Sequence, residues 1–158
     1  MLSVEERLVQ TLAEMGLTVS SAESCTGGMI ASRIIDVPGA SDVYYEGFIT
    51  YSNEAKMKYL NVSEDILEKY GAVSQEVVKE MAVGCRRATG CDVSIVTSGI
   101  AGPGGGSMEK PVGLVYIACA YKEEVLVSCF NFEGDRTQIR KQATDEAIKM
   151  AMDLLENH

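Results

Sequence analysis

Helix-like and strand-like segments alternate along almost the whole chain, and this alternation restricts the possible folds more than any other feature of the sequence. Capping residues and apolar residues at helical spacing predict helices at 3–15, 29–36, 53–60, 63–71, 74–85 and from about 135 onward. Runs rich in β-branched and aromatic residues predict strands at about 17–21, 44–52, 93–98, 112–121 and 125–132. Such alternation is typical of α/β proteins, in which helices cover both faces of a sheet.

The connection between the last two predicted strands consists of only a few residues around 122–124. A connection this short permits a β-hairpin but not a parallel crossover, so one strand must run antiparallel to its neighbours. We therefore predict a three-layer α/β/α sandwich with a mixed, mostly parallel five-stranded sheet. The sequence shows no internal repeat or linker, and its 46% hydrophobic and 23% charged residues fit a single domain over residues 1–158.

Charge and hydropathy exclude several classes of partner. The 14 Lys and Arg residues against 23 Asp and Glu residues give a net charge of −9. Without a basic block the chain is not expected to bind nucleic acid, although a few local donors can still hold a small anion. No apolar run approaches the ~20 residues that span a bilayer, and the N-terminus lacks the layout of a signal peptide. We expect a cytoplasmic protein with no membrane partner.

The cysteine and histidine counts restrict the chemistry further. The five cysteines form no CxxC pair and are odd in number, so neither a disulfide framework nor a zinc site is expected. The only histidine is His158, at the frayed end of the chain. An enzyme with this sequence would therefore use neither a Ser-His-Asp triad nor a histidine-ligated metal. Catalysis would depend on Ser, Thr, Cys, Lys, Tyr or carboxylate groups.

Three loops lie where an α/β sheet binds its ligands, beyond strand ends and at helix entrances. The first contains Ser24, Cys25, Thr26, Gly27 and Gly28. Its glycines let a ligand approach the backbone, and the free N–H groups of the following helix would bind an anion. The alternative is a capped, glycine-containing turn without a ligand.

The second loop places Tyr51 and Lys56 on either side of a predicted helix start. If the helix begins between them, both side chains face the same cleft, and an enzyme without histidine needs such a base. The alternative is that both are ordinary surface residues.

The third loop runs from Ser98 to Ser107 and holds five of the fifteen glycines. It matches neither a P-loop nor a GxGxxG motif, and its glycine content favours an anion or nucleotide cradle over a linker. Arg136 follows a Gly-Asp turn before the last helix. It is interpreted either as a bidentate ligand for a phosphate or carboxylate, or as a solvated first-turn arginine.

Several motifs in a fixed order give the chain a family resemblance. The segments AESCTGG, GFITYSNEAK, GAVS, TSGIAGPGGG, EKPVG and GDR resemble the CinA C-terminal domain family of nicotinamide-nucleotide amidases, from about Leu8 to the end. Members of that family hydrolyse the carboxamide of nicotinamide mononucleotide to nicotinate mononucleotide and ammonia. Many members carry a larger N-terminal domain that this sequence does not contain, so the resemblance concerns only the amidase half.

The resemblance implies a role for each matching residue. Ser24 would be the nucleophile, and Lys56, directly or through Tyr51, would accept its proton and deliver it to the leaving ammonia. The N–H groups from Cys25 to Gly27 (Cys25, Thr26, Gly27) would stabilise the oxyanion. Arg136 and the glycine-rich loop, at Ser98, Gly99, Gly102, Gly104 and Gly105, would hold the ribose-phosphate end. This chemistry requires no cofactor and no metal.

A lysine base imposes a requirement on its surroundings. With a usual pKa of about 10.4, Lys56 must have its pKa lowered by roughly 3 units by burial or a nearby cation. Two other readings stay open: a non-catalytic nucleotide-binding or partner-regulating module, and an amidase for a related amide. A homo-oligomer is expected, because small α/β domains commonly pair symmetrically.

Overall fold

A computed structural model describes all residues from 1 to 158 and contains six α-helices, one short 3₁₀ turn and five strands. In chain order these are α1 (Val4–Met15), β1 (Val19–Glu23), α2 (Met29–Ile35), the 3₁₀ turn (Ala40–Asp42), β2 (Phe48–Ile49), α3 (Asn53–Leu60), α4 (Glu64–Tyr70), α5 (Gln75–Thr89), β3 (Val93–Gly99), β4 (Leu114–Tyr121), β5 (Glu124–Asn131) and α6 (Arg136–Glu156). No helix is both long enough and apolar enough to cross a bilayer.

The five strands form one mixed sheet in the order β2-β1-β3-β4-β5. Strands β2, β1 and β3 pair in parallel, and β4 pairs antiparallel with both β3 and β5. Four strands therefore point in one direction and β4 alone runs against them. Only Lys122 and Glu123 separate β4 from β5, which confirms the hairpin predicted from the short connection.

Helices cover both faces of the sheet, so the predicted three-layer α/β/α architecture is confirmed. One face packs against α1, α2 and α6 through a large apolar cluster that includes Leu8, Leu12, Ile30, Ile34, Ile139 and Ile148. The other face packs against α3, α4 and α5 through a smaller cluster that includes Leu60, Leu67, Val77, Val78, Met81 and Cys85. Burial of each large apolar side chain stabilises the fold by about 1.5–3 kcal/mol.

Serine and aspartate caps set the helix starts. The side chains of Ser3, Ser52, Ser63, Ser74 and Asp135 each accept a hydrogen bond from the backbone N–H three residues ahead. These caps satisfy donors that a helix N-terminus otherwise leaves unpaired. The cap at Ser52 matters most here, because it starts α3 between Tyr51 and Lys56, as predicted.

Two strands differ from the sequence prediction. Strand β2 pairs only over Phe48–Ile49, opposite Ala22 and Glu23, where β1 ends and offers no further partner. Strand β1 lies two residues later than predicted, at Val19–Glu23. This shift places Ser24 immediately after the carboxyl end of β1.

Helices α3 and α5 approach each other closely at Gly84. A Cβ atom at this position would lie 1.9 Å from the carbonyl oxygen of Leu60, the last residue of α3. Only glycine fits there, because the obstructing atom belongs to the backbone and not to a movable side chain. The contact fixes the position of the helix that carries Lys56.

We expect Gly84→Ala to destabilise the protein by about 2 kcal/mol or more, although alanine favours helices by about 1 kcal/mol over glycine. Urea unfolding measures this loss. The matched control is Val83→Ala on an exposed position of the same helix, which should change stability far less. Equal effects of the two variants would show that α3 and α5 do not pack in this way.

Candidate active site

One edge of the sheet gathers the residues of interest. The parallel strands β1, β2 and β3 end there, so the loops that follow them meet. They form a cleft of about 250 Å³. Its lining residues are Ser24, Cys25, Tyr51, Asn53, Lys56, Ala72, Val73, Ser98, Gly99, Ala101 and Arg136.

Ser24 and Lys56 are in direct contact. The Lys56 amine donates to Ser24 Oγ at 3.1 Å, to the Thr50 carbonyl at 2.8 Å and more weakly to the Tyr51 carbonyl at 3.5 Å. Helical side chains lean toward the helix N-terminus, which carries the Lys56 side chain from the first turn of α3 back to the strand end. The resemblance predicts that Ser24, Tyr51 and Lys56 converge, and the structure brings Ser24 and Lys56 into contact.

The Lys56 side chain is almost completely buried, with 1% of the residue exposed. Burial removes water from the ammonium form and lowers the pKa of Lys56 from 10.5 to about 8. The direction of this pKa shift agrees with the requirement for a lysine base, and the shift is caused by desolvation of the amine. With this pKa, about one tenth of the Lys56 amine is neutral at pH 7.

A buried carboxylate holds the turn that carries Ser24. Glu23 accepts hydrogen bonds from the Thr26 hydroxyl at 2.6 Å and from the N–H groups of Ile30 and Ala31 at 2.8 and 3.0 Å. The expectation that the α2 N-terminus offers free N–H groups to an anion is wrong, because Glu23 already occupies it. The available signal was an acidic residue at the end of the strand that precedes the helix, since the helix dipole favours a negative charge near a helix N-terminus.

Thr97 on β3 holds the same turn through its side chain and its backbone carbonyl. Thr97 Oγ1 and Thr26 Oγ1 are 2.9 Å apart, and the Ser24 N–H donates to the Thr97 carbonyl at 3.2 Å. The Thr26 side chain is completely buried. It stabilises the turn from below, and Thr26 is outside the lining of the cleft, so the structure does not bring this predicted oxyanion donor to the cleft.

Arg140 on α6 orients two peptide groups of the turn. Its guanidinium donates to the Cys25 carbonyl at 2.8 Å and to the Thr26 carbonyl at 3.1 Å. In a trans peptide the N–H points opposite to the carbonyl, so the Thr26 N–H points away from Arg140. The Gly27 N–H donates to the Ser24 carbonyl at 3.1 Å. Of the three N–H groups proposed as oxyanion donors, only those of Cys25 and Thr26 do not donate to a backbone carbonyl.

The Tyr51 phenol lies away from the Ser24–Lys56 contact. It is at the cleft rim, with 62% of the residue exposed, and accepts from Arg136 Nη2 at 3.0 Å. Arg136 Nη1 donates to the Gly102 carbonyl at 2.9 Å. Arg136 therefore links Tyr51 to the glycine-rich loop, and no hydrogen bond places the phenol between Ser24 and Lys56.

The glycine-rich loop contributes to the site only in part. Ser98 and Gly99 line the cleft, and Gly102 reaches it through its bond to Arg136. Gly104 and Gly105 are exposed and outside the lining of the cleft, so the structure does not bring these two predicted residues to it. No group of three or more His, Cys, Asp or Glu side chains is arranged to hold a metal ion.

Comparison with known proteins identifies the family to which the chain belongs. Residues 1–155 match the CinA C-terminal domain. The chain belongs to the CinA C-terminal domain family. A relative from Clostridium beijerinckii is 52% identical over 154 residues, which cover 98% of this chain and 38% of the relative. A CinA-like protein from Fusobacterium nucleatum is 51% identical over 144 residues, which cover 91% of this chain and 35% of that protein. The chain thus spans well under half the length of these CinA-family relatives.

Solved structures of the CinA family share the fold along the whole chain. The competence/damage inducible protein CihA from Agrobacterium tumefaciens superposes with a TM-score of 0.92 at 38% identity, over 99% of this chain and 98% of that protein. A CinA superfamily protein from Escherichia coli has a TM-score of 0.92 at 36% identity, over 96% of this chain and 88% of that one. The α/β class inferred from the sequence is therefore that of CinA structures.

The lowered pKa of Lys56 predicts how the stability of the protein depends on pH. Between the folded pKa of about 8 and the unfolded value of about 10.4, the unfolded chain binds more protons at Lys56 than the folded one. This group therefore makes the free energy of unfolding rise with pH across that window. We expect the difference between wild type and Lys56→Met to grow in favour of wild type by at most about 1.4 kcal/mol per pH unit.

Urea unfolding from neutral pH to about pH 10 measures this difference. Lys58→Met is the matched control, because Lys58 lies on the same helix but is exposed. A constant difference between wild type and Lys56→Met across the window would mean that the Lys56 amine is not desolvated.

Proposed function

We propose that this protein hydrolyses the carboxamide of nicotinamide mononucleotide to nicotinate mononucleotide and ammonia, with Ser24 as nucleophile and Lys56 as base. The observation that carries the proposal is the 3.1 Å contact between Ser24 Oγ and the amine of the buried Lys56. Membership of the CinA family and the motif resemblance suggest the substrate. The contact itself supports a serine nucleophile activated without histidine.

In the first step, Ser24 Oγ attacks the amide carbon and the neutral Lys56 amine takes the hydroxyl proton. The structure has a direct path for this transfer, so the proposal uses Lys56 without a relay through Tyr51. The protonated amine then donates to the amide nitrogen as the C–N bond breaks. Ammonia leaves, and the acyl group stays on Ser24 as an ester.

The developing oxyanion needs fixed donors in the cleft. We assign this role to the Cys25 N–H group, because Cys25 lines the cleft and directly follows the nucleophile, and its N–H lacks a carbonyl partner. Arg140 restrains the Cys25–Thr26 peptide from its carbonyl side. The turn that carries the Cys25 N–H is therefore held in place before the substrate arrives.

In the second step, a water molecule attacks the ester and Lys56 takes its proton. The Ser24–acyl bond breaks, Ser24 regains its proton and the product leaves as a carboxylate. The sum is amide plus water giving carboxylate and ammonium, so the proposed reaction consumes no redox equivalent and no cofactor. The same base serves both halves of the reaction.

Arg136 is the proposed partner of the substrate phosphate. Apart from Lys56, it is the only cation that lines the cleft, and its planar guanidinium suits bidentate contact with phosphate oxygens. Glu23 fills the α2 N-terminus with a carboxylate, so a phosphate is not expected there. The substrate would extend from Ser24 at the buried end to Arg136 at the rim.

The test measures ammonia release from nicotinamide mononucleotide by the purified protein. We expect turnover in the wild type, a loss of about 10³-fold or more in Ser24→Ala and Lys56→Met, and near-normal turnover in the control Lys58→Met. EDTA should leave the rate unchanged, because no step uses a metal. Turnover that survives in Ser24→Ala would reject the nucleophile. Thermal stabilisation by the nucleotide without turnover in the wild type would instead support a binding module.

The Tyr51→Phe variant distinguishes direct proton transfer from Ser24 to Lys56 from transfer through Tyr51. Loss of the phenol removes one hydrogen bond to the Arg136 guanidinium, worth about 1.5–3 kcal/mol for a charged partner. We expect kcat/KM to fall about 10- to 100-fold, mainly through KM. A fall in kcat as large as that of Lys56→Met would show that the proton passes through Tyr51.

A further inference from the structure

The two edge strands of the sheet differ greatly in length. Strand β2 forms one edge and pairs over only two residues, Phe48 and Ile49. Strand β5 forms the other edge and pairs with β4 over all eight of its residues. No residue of β5 lines the cleft that holds Ser24. The long edge at β5 is therefore separate from the proposed amidase chemistry.

Two hydrogen bonds show which backbone groups of β5 face the open edge. The Phe132 N–H donates to the Gly113 carbonyl at 2.8 Å, and the Ile100 N–H donates to the Leu114 carbonyl at 2.9 Å. The Gly113 carbonyl thus faces β5 and the Leu114 carbonyl faces β3, and this direction alternates along antiparallel strands. Even-numbered residues of β5 therefore bond to β4. The N–H and C=O groups of the odd-numbered residues point to the open edge; these residues are Val125, Val127, Cys129 and Asn131.

The open edge of β5 lacks the features that usually prevent strand pairing. No loop or helix donates a backbone hydrogen bond to the four edge-facing residues. Residues 125–132 contain no charged side chain and no proline, and the register with β4 continues without a bulge. Charges, prolines and bulges are the means by which proteins protect a sheet edge. A strand of this length without them is a template for a further strand.

The side chains along β5 are covered only in part. Val125 and Val127 pack against the apolar cluster on the α5 face, and Leu126, Phe130 and Phe132 pack against the cluster on the α6 face. All five are partly exposed, and the rings of the two phenylalanines stack with their centroids 5.1 Å apart. A strand added beside β5 would cover apolar surface on both faces of the sheet, which favours its binding.

We propose that β5 of a second copy of this chain pairs antiparallel with β5, so that two five-stranded sheets join across a two-fold axis. Antiparallel pairing requires edge-facing residues to lie opposite edge-facing residues. The register centred on Ser128 is the only one in which all four find such partners. In it Val125 lies opposite Asn131 of the copy and Val127 lies opposite Cys129 of the copy. This register forms about eight hydrogen bonds between the chains.

The charge distribution fits a second copy as the partner. A net charge of −9 on each chain disfavours any contact that brings carboxylates of two copies together. In the register centred on Ser128, residues 125–131 of the two chains lie opposite one another, and none of them is charged. The flanking carboxylates Glu124 and Glu133 lie outside this segment. The same surface on both chains is thus self-complementary, as a two-fold interface requires.

Sedimentation equilibrium of the full, reduced chain tests the pairing. We expect the wild type to have twice the 17.0 kDa mass of one chain, and Cys129→Pro to raise the dissociation constant of the dimer about tenfold or more. Proline at 129 removes an N–H that faces the open edge and none that bonds to β4. Cys129→Ser is the matched control, because it keeps this N–H. A monomeric wild type would overturn the proposal and leave the edge to a strand of another protein.

A cysteine at the two-fold axis tests the register and does not depend on the proline variant. In a Cys129→Ser background, which leaves only buried cysteines, Ser128→Cys places two thiols opposite each other. The Cα atoms of such a non-hydrogen-bonded pair are ~4.5 Å apart, within the range of a disulfide. Asn131→Cys in the same background is the matched control, because this exposed position of β5 lies ~20 Å from its own copy.

We expect mild oxidation to link the Ser128→Cys chains at least about tenfold more than the Asn131→Cys chains, measured on a non-reducing gel. Equal yields of linked chains from the two variants would overturn the proposal, because a dimer would then use another surface. Neither measurement depends on amidase activity.

Discussion

The candidate site depends on one buried contact, the amine of Lys56 against the hydroxyl of Ser24. A lysine amine in the interior loses the hydration of its charged form, so burial favours the neutral form. The structure surrounds the amine with a hydroxyl and two carbonyl oxygens, and no carboxylate forms an ion pair with it. Oxygen acceptors of this kind orient the amine without restoring its usual pKa, which is the property that a base near neutral pH needs.

Each partner in this contact has its own support. The turn that carries Ser24 is held by Glu23 and Thr97 from the sheet and by Arg140 from α6. Lys56 is held by the Ser52 cap that starts α3 and by the close approach of α3 to α5 at Gly84. Because the supports come from both faces of the sheet, the distance between nucleophile and base is determined by the packing of the three layers.

The occupied N-terminus of α2 changes how the cleft would bind an anion. A glycine-containing turn before a helix usually suggests phosphate binding, but here the Glu23 carboxylate takes two of the helix N–H groups. The positive charge at the rim of the cleft comes from Arg136, which donates hydrogen bonds to the Tyr51 hydroxyl and the Gly102 carbonyl. The reacting end and the anionic end of a nucleotide would therefore lie at opposite ends of the cleft.

The sequence by itself determined the element order, the hairpin and the α/β class, because periodicity, caps and a short connection act over a few residues. It also indicated Ser24 and Lys56, which belong to local motifs at a strand end and a helix start. Only the tertiary structure decided the roles of Glu23, Thr97 and Arg140, the position of the Tyr51 phenol and the distance of Gly104 from the cleft. Hydrogen bonds such as that from Arg140 to Cys25 join residues more than a hundred positions apart, and the burial that lowers the pKa of Lys56 exists only when the layers have packed.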